Sequence, residues 1–137
     1  MTLPAWTLIS VLALAPGFDD PEEVDFATLS DFDYTEGMTL PKKVTKFDGK
    51  KVKVSGFMAT EDGSPGPSDY FLLINDACGC EGVPMMNEVI FCVTADGKPV
   101  KIEPGTVFLT GTLEVSEERD YGVVVSLYRM VVDKVDR

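Results

Sequence analysis

Thr106-Val107-Phe108-Leu109-Thr110-Gly111-Thr112-Leu113-Glu114-Val115 sets Val107, Leu109, Gly111, Leu113 and Val115 at every second position. That is the period of a strand with one buried face, because successive strand side chains point to opposite sides of a sheet. Outward from it, Val52, Val54, Gly56 and Met58 alternate in the same way with Lys51, Lys53, Ser55 and Phe57. Tyr70 to Ile74, Val89 to Thr94 and Gly122 to Val132 bring the strands to five. Glu61 to Pro67 reads as a loop, Asp96-Gly97 as a hairpin-type turn and Pro104-Gly105 as a further turn. One short helix precedes the first strand: Pro41 suits a first helical turn, Leu40, Val44 and Phe47 fall at helical spacing, and Asp48-Gly49 is a stop. The expected class is mainly β, a small barrel or sandwich. Gly56 and Gly111, inside strands, permit the bends that a closed five-stranded barrel requires.

At 137 residues the chain fits one domain. Apolar residues make up 45% and charged residues 26%, which places the bulk of it among folded globular proteins. Residues 1–17 carry no charged side chain, and Trp6 to Leu14 form an apolar run ending in Ala13-Leu14-Ala15, the pattern of a signal peptide. The run is short of the ~20 apolar residues of a spanning helix, so no stable membrane span is expected after processing. The expected location is therefore outside the cytoplasm, periplasmic or in the cell envelope.

Residues 18–37 form an acidic lead segment with eight carboxylates and no Lys or Arg; six of the twelve basic residues, Lys42 to Lys53, follow at once. Phe26, Leu29, Phe32 and Tyr34 are too apolar for a solvated linker, so the lead is expected to pack on the barrel domain, residues 38–137. The net charge of -11 repels polyanions and argues against a nucleic-acid ligand.

All three cysteines, Cys78, Cys80 and Cys92, fall within fifteen residues, and the chain has no histidine. His-dependent triads, His general acid/base catalysis and His-ligated zinc are thereby excluded. Cys78 and Cys80 lie on the connection between the second and third strands. In an extended backbone they project to one side about 7 Å apart, and Gly79 lets the chain fold them closer. Met85 and Met86 add thioethers: thiolate with thioether favours Cu(I), whereas three thiolates with Glu81 or water suit Zn. A disulfide from Cys92 to Cys78 or Cys80 is the alternative, closing a loop worth roughly 3 kcal/mol in the chain-entropy model. A third reading is thiol–disulfide exchange at Cys-x-Cys, although no βαβ unit surrounds it.

Leu40-Pro41, Val44, Phe47-Asp48-Gly49-Lys50, Val52, Val54, Gly56-Phe57-Met58 and Phe71-Leu72-Leu73, with Ala77-Cys78-x-Cys80 and Asn87, resemble a bacterial exported family of unknown function, domain of unknown function 3299. The resemblance runs from Leu40 to about Val135, and Phe26, Leu29, Phe32 and Tyr34 look like the family's mature N-terminus. It implies an OB-like five-stranded barrel, and for some members a gene beside zinc-uptake transporters. Where the family shows Ala-Cys-x-His, a proline run and Asn-Gln, this chain has Cys80, the single Pro84 and Asn87-Glu88. Thiolate thus stands for imidazole, and Asn87 and Pro84 belong to the presumed binding loop. The combined expectation is a non-enzymatic exported barrel that binds or hands on Zn or Cu through Cys78 and Cys80, assisted by Cys92 or a Met. Its partner would be a metal-transport component or another exported protein. A disulfide-stapled interaction module and a thiol oxidoreductase are the alternatives.

Overall fold

A computed structural model of the chain describes residues 20–63, 66–75 and 84–137. The signal-peptide segment expected at 1–17 lies outside them. Six strands form one sheet: β1 (Glu22–Val24), β2 (Lys50–Ala59), β3 (Tyr70–Ile74), β4 (Val89–Thr94), β5 (Thr106–Asp120) and β6 (Val123–Asp136). Their order is β1-β2-β3-β4-β6-β5, and β2 also pairs with β5, so β2 to β6 close into a five-stranded barrel. The β4–β6 pairing is parallel and the other barrel pairings are antiparallel, which makes the mixed, OB-type order. Among the described residues no helix is long and apolar enough to cross a membrane.

Alternation fills the barrel. Val52, Val54, Phe71, Leu73, Ile90, Leu109, Leu113, Tyr128 and Met130 all point inward and are buried. Closure depends on two glycines. Along Lys50 to Phe57, β2 pairs with β5; from Phe57 to Ala59 it pairs with β3. The corner falls at Gly56, where a Cβ would stand 2.8 Å from the Ile74 carbonyl oxygen and 2.9 Å from Leu73 Cγ. Opposite, β5 shifts register against β6 between Thr110 and Gly111. A Cβ at Gly111 would lie 2.2 Å from the Val131 carbonyl oxygen, closer than any real contact.

The lead segment holds structure that composition did not announce. β1 runs parallel to β2, with Val24 beside Val54. Helix α1 (Phe26–Leu29) is capped by Asp25, whose Oδ1 accepts from the Thr28 amide at 2.8 Å. Phe26 and Leu29 join Val44 and Phe47 in the core, and buried Tyr128 donates its hydroxyl to the Leu29 carbonyl at 2.6 Å. Helix α2 (Lys42–Thr45) starts after Pro41, and its continuation is tied to β5: Gly49 N–H donates to Leu113 O, and Asp48 Oδ1 accepts from the Val115 amide. The acidic and basic blocks meet at Lys43–Asp31 (3.0 Å) and Lys50–Glu22 (3.7 Å). Both pairs are exposed and contribute at most about 1 kcal/mol each.

One turn reading and two strand ends change. Asp96-Gly97 is a turn, but it joins β4 to the connection leading to β5, and those strands pair with other neighbours. The sheet's long hairpin lies instead at Tyr121-Gly122, both at positive φ, between β5 and β6. Alternation placed the end of β5 at Val115 and of β6 at Val132; register shifts between Val115 and Arg119, and between Thr110 and Gly111 opposite the end of β6, break the period, and both strands run on.

Substituting Gly111→Ala is expected to cost about 3 kcal/mol or more, because rigid backbone blocks the new methyl. Gly97→Ala meets open space and carries only the left-handed backbone penalty, about 1–2 kcal/mol. Urea denaturation of both variants checks the ordering. Glu117 accepts from the Tyr34 hydroxyl (2.5 Å) and the Gly37 amide (2.9 Å), and the Gly37 bond, then the Tyr34 bond, hold its pKa below the ordinary 4.5. The folded pKa is depressed, so this contribution is present above 4.5 and lost as pH falls through the lower folded value. Thermal melts across the acid range should therefore fall more steeply for the wild type than for Glu117→Gln.

Candidate functional site

The connection between β3 and β4 leaves the sheet at Ile74 and returns at Val89, which are themselves register partners. Cys78, Cys80 and Glu81 lie outside the described residues. The returning limb is described. Pro84 and Met85 are exposed, Met85 at 55%, and a short 3-10 helix (Met86–Glu88) follows. Glu88 turns back so that its carboxylate accepts from the Met85 amide at 3.2 Å. Met86 is half-buried against the core.

Asn87 is buried, and its amide donates to Phe32 O at 2.8 Å and Ser30 O at 3.4 Å. Read from the chain, Asn87 belongs to a binding loop; its described bonds are those of a clamp. They join the base of the loop to the lead segment and satisfy carbonyls that follow α1.

Cys92 is separated from the loop. It sits in β4, paired with Phe71, wholly enclosed, as a free thiol in the barrel core. Its Sγ donates weakly to Ile90 O at 3.6 Å. Burial pushes the thiol pKa far above its usual range, so it stays protonated. Ligation or a disulfide at Cys92 would require it to leave the core. Strand phase paired Cys92 with Ile90 but could not say which face turned inward. Among the described residues no three Cys, Asp or Glu side chains converge to hold a metal ion.

A second concavity was not anticipated from the chain. A groove of about 350 Å³ lies on the outer face of the barrel, lined from β3 to β6 and by Glu61. Register places Tyr70, Val93 and Val131 side by side across β3, β4 and β6, and Phe91, Arg129 and Glu114 in the adjacent row across β4, β6 and β5. Tyr70, Val93, Val125 and Val131 remain substantially exposed. The available signal was that β4 (Val-Ile-Phe-Cys-Val-Thr) is apolar in both phases, so one apolar set must face outward.

A family model described as a protein of unknown function, DUF3299, matches residues 20–137. The crystal structure of a DUF3299 family protein from Pseudomonas aeruginosa is similar, with 22% identity and a TM-score of 0.58, covering 86% of this chain and 96% of that one. At that identity the likeness speaks to the fold alone. A structure assigned to a Leishmania major aspartyl-tRNA synthetase aligns at 10% identity and a TM-score of 0.46, over 90% of this chain and 22% of that one, and supports no argument. No curated protein matches the chain.

Asn87→Ala takes the donor from the Phe32 carbonyl, while Ser30 O keeps the Phe32 amide at 2.9 Å, and is expected to cost about 1–3 kcal/mol. Hydrogen exchange should then quicken in α1 and in the 3-10 helix together, ahead of β2 and β5, if the side chain clamps the two segments.

Proposed function

Because the chain belongs to the DUF3299 family of unknown function, a family resembling exported bacterial proteins, we propose that it is a non-enzymatic binding barrel of the cell envelope. Its β3–β4 loop takes or hands on a soft transition metal through Cys78 and Cys80. The observation that supports this reading is the position of Cys92. With that thiol free and enclosed in the core, the staple reading must disrupt the barrel to reach it, while the two loop thiols keep each other as neighbours in sequence.

Removing Cys92 from the donor set also changes which ion fits. Two thiolates with the exposed Met85 thioether form a soft, low-coordinate set that suits Cu(I). Zn requires further hard donors, for which Glu81 or water remain. The Asn87 clamp gives the loop a fixed base, and the acidic chain attracts cations in general. A metal-transport component or another exported protein is the fitting partner class. Thiol exchange, the third reading, would fall to Cys78 and Cys80 alone, since the pKa of Cys92 moves away from the thiolate.

Metal analysis of the reduced chain, purified from its native compartment, is expected to find about one equivalent of Cu or Zn. Cys78→Ser with Cys80→Ser removes it. Cys92→Ala keeps it, at a stability cost of about 1 kcal/mol. No bound metal at micromolar supply, or loss of metal in a folded Cys92→Ala, counts against the reading; a Cys92 disulfide in non-reducing mass spectrometry would establish the staple instead.

A further inference from the structure

The outer groove lies at the opposite end of the β3–β4 hairpin from the sulfur loop: Tyr70 and Val93 pair at one end, Ile74 and Val89 at the other. It shares no residue with that loop. Its floor is apolar, with Tyr70, Val93 and Val131 in one lateral row and Phe91 in the next. Its rim is acidic. Glu61, Glu114 and Glu118 line it against a single cation, Arg129.

Arg129 is already committed. Its Nε stands 3.3 Å from Glu114 and 2.9 Å from Glu118, and its Nη atoms donate to Ser116 and Ser126. A guanidinium so engaged does not recruit an anion; it holds two rim carboxylates in place and leaves the surplus charge negative. Glu61 is also positioned, accepting from the Tyr70 hydroxyl at 3.0 Å. The apolar surface extends beyond the groove along β6, through Val125 to the exposed Val123, and ends at the hairpin apex. There Tyr121 is 98% exposed at φ 52, a backbone conformation unfavourable for a bulky side chain and compensated by no burial of its ring. Exposed apolar side chains on β6 beyond the groove suit an extended ligand better than a small metabolite.

We infer that this face docks a protein segment in which aliphatic side chains alternate with Lys or Arg: the aliphatic groups occupy the floor and the cations meet Glu61, Glu114 and Glu118. The surplus of carboxylates argues against nucleic acid. It argues equally against a second copy, since two such faces in a chain of net charge -11 would oppose like charges.

The test titrates the isotope-labelled full chain with a short peptide of alternating leucine and lysine, and in parallel with its leucine–glutamate counterpart and with oligothymidylate. The inference expects shifts confined to amides around Tyr70, Val93, Val125 and Val131 with the lysine peptide alone, weakening as salt rises. Glu61→Gln, which removes charge and retains the tyrosine bond, should weaken binding about threefold. Val93→Lys, at a position 43% exposed and so tolerant of a long polar side chain, should weaken it about tenfold or more. Equal binding of the glutamate peptide or of oligothymidylate would overturn it, as would no shift at millimolar lysine peptide or shifts centred elsewhere. A concentration-dependent dimer abolished by Val93→Lys would assign the face to self-association and overturn it likewise.

Discussion

The missing side chain at Gly111 is the constraint on which the rest of the molecule depends. The backbone of β5 approaches Val131 so closely that a methyl group has no place there. This approach lets β5 turn while it pairs with β6 on one side and β2 on the other. Gly56 performs the matching turn in β2. Were either corner to straighten, β2 and β5 would present open edges and the apolar interior would meet water.

Closure also decides what the lead segment does. The barrel has an end to fill, and α1, α2 and the turn after α2 fill it with Phe26, Leu29, Val44 and Phe47. The hydroxyl of Tyr128 and the amide of Asn87 supply the polar bonds that such a plug needs, both directed at carbonyls in or just after α1. The acidic stretch, whose apolar residues already pointed to packing, thereby gives Phe26 and Leu29 to the core and sets Phe32 and Tyr34 against it. The base of the sulfur loop is held by the same segment.

The β3–β4 hairpin then carries different chemistry at its two ends. One end continues into the sulfur loop, and the other forms part of an apolar floor with an acidic rim. Between them Cys92 is enclosed and kept protonated by its surroundings. The likeness to a Pseudomonas DUF3299 structure at 22% identity supports the shared barrel and leaves both surfaces to be argued from this chain's own residues.

Strand identity was legible in the chain because its signals are local: β2 and the start of β5 follow from residue phase, β3 and β4 are short apolar runs, and the short helix after Pro41 follows from proline and glycine chemistry. The far end of β5 was not legible, because irregular register between Val115 and Arg119 breaks the period there. For the sulfur site, sequence determined that the chemistry must be thiol-based, with no imidazole available. Only the tertiary structure decided that Cys92 faces the core and that Asn87 serves as a clamp. Only register brought Tyr70, Val93 and Val131 into one row, from positions far apart in the chain. Phase gives each side chain one of two faces; which face is inside, and which strands become neighbours, depends on how the whole sheet closes.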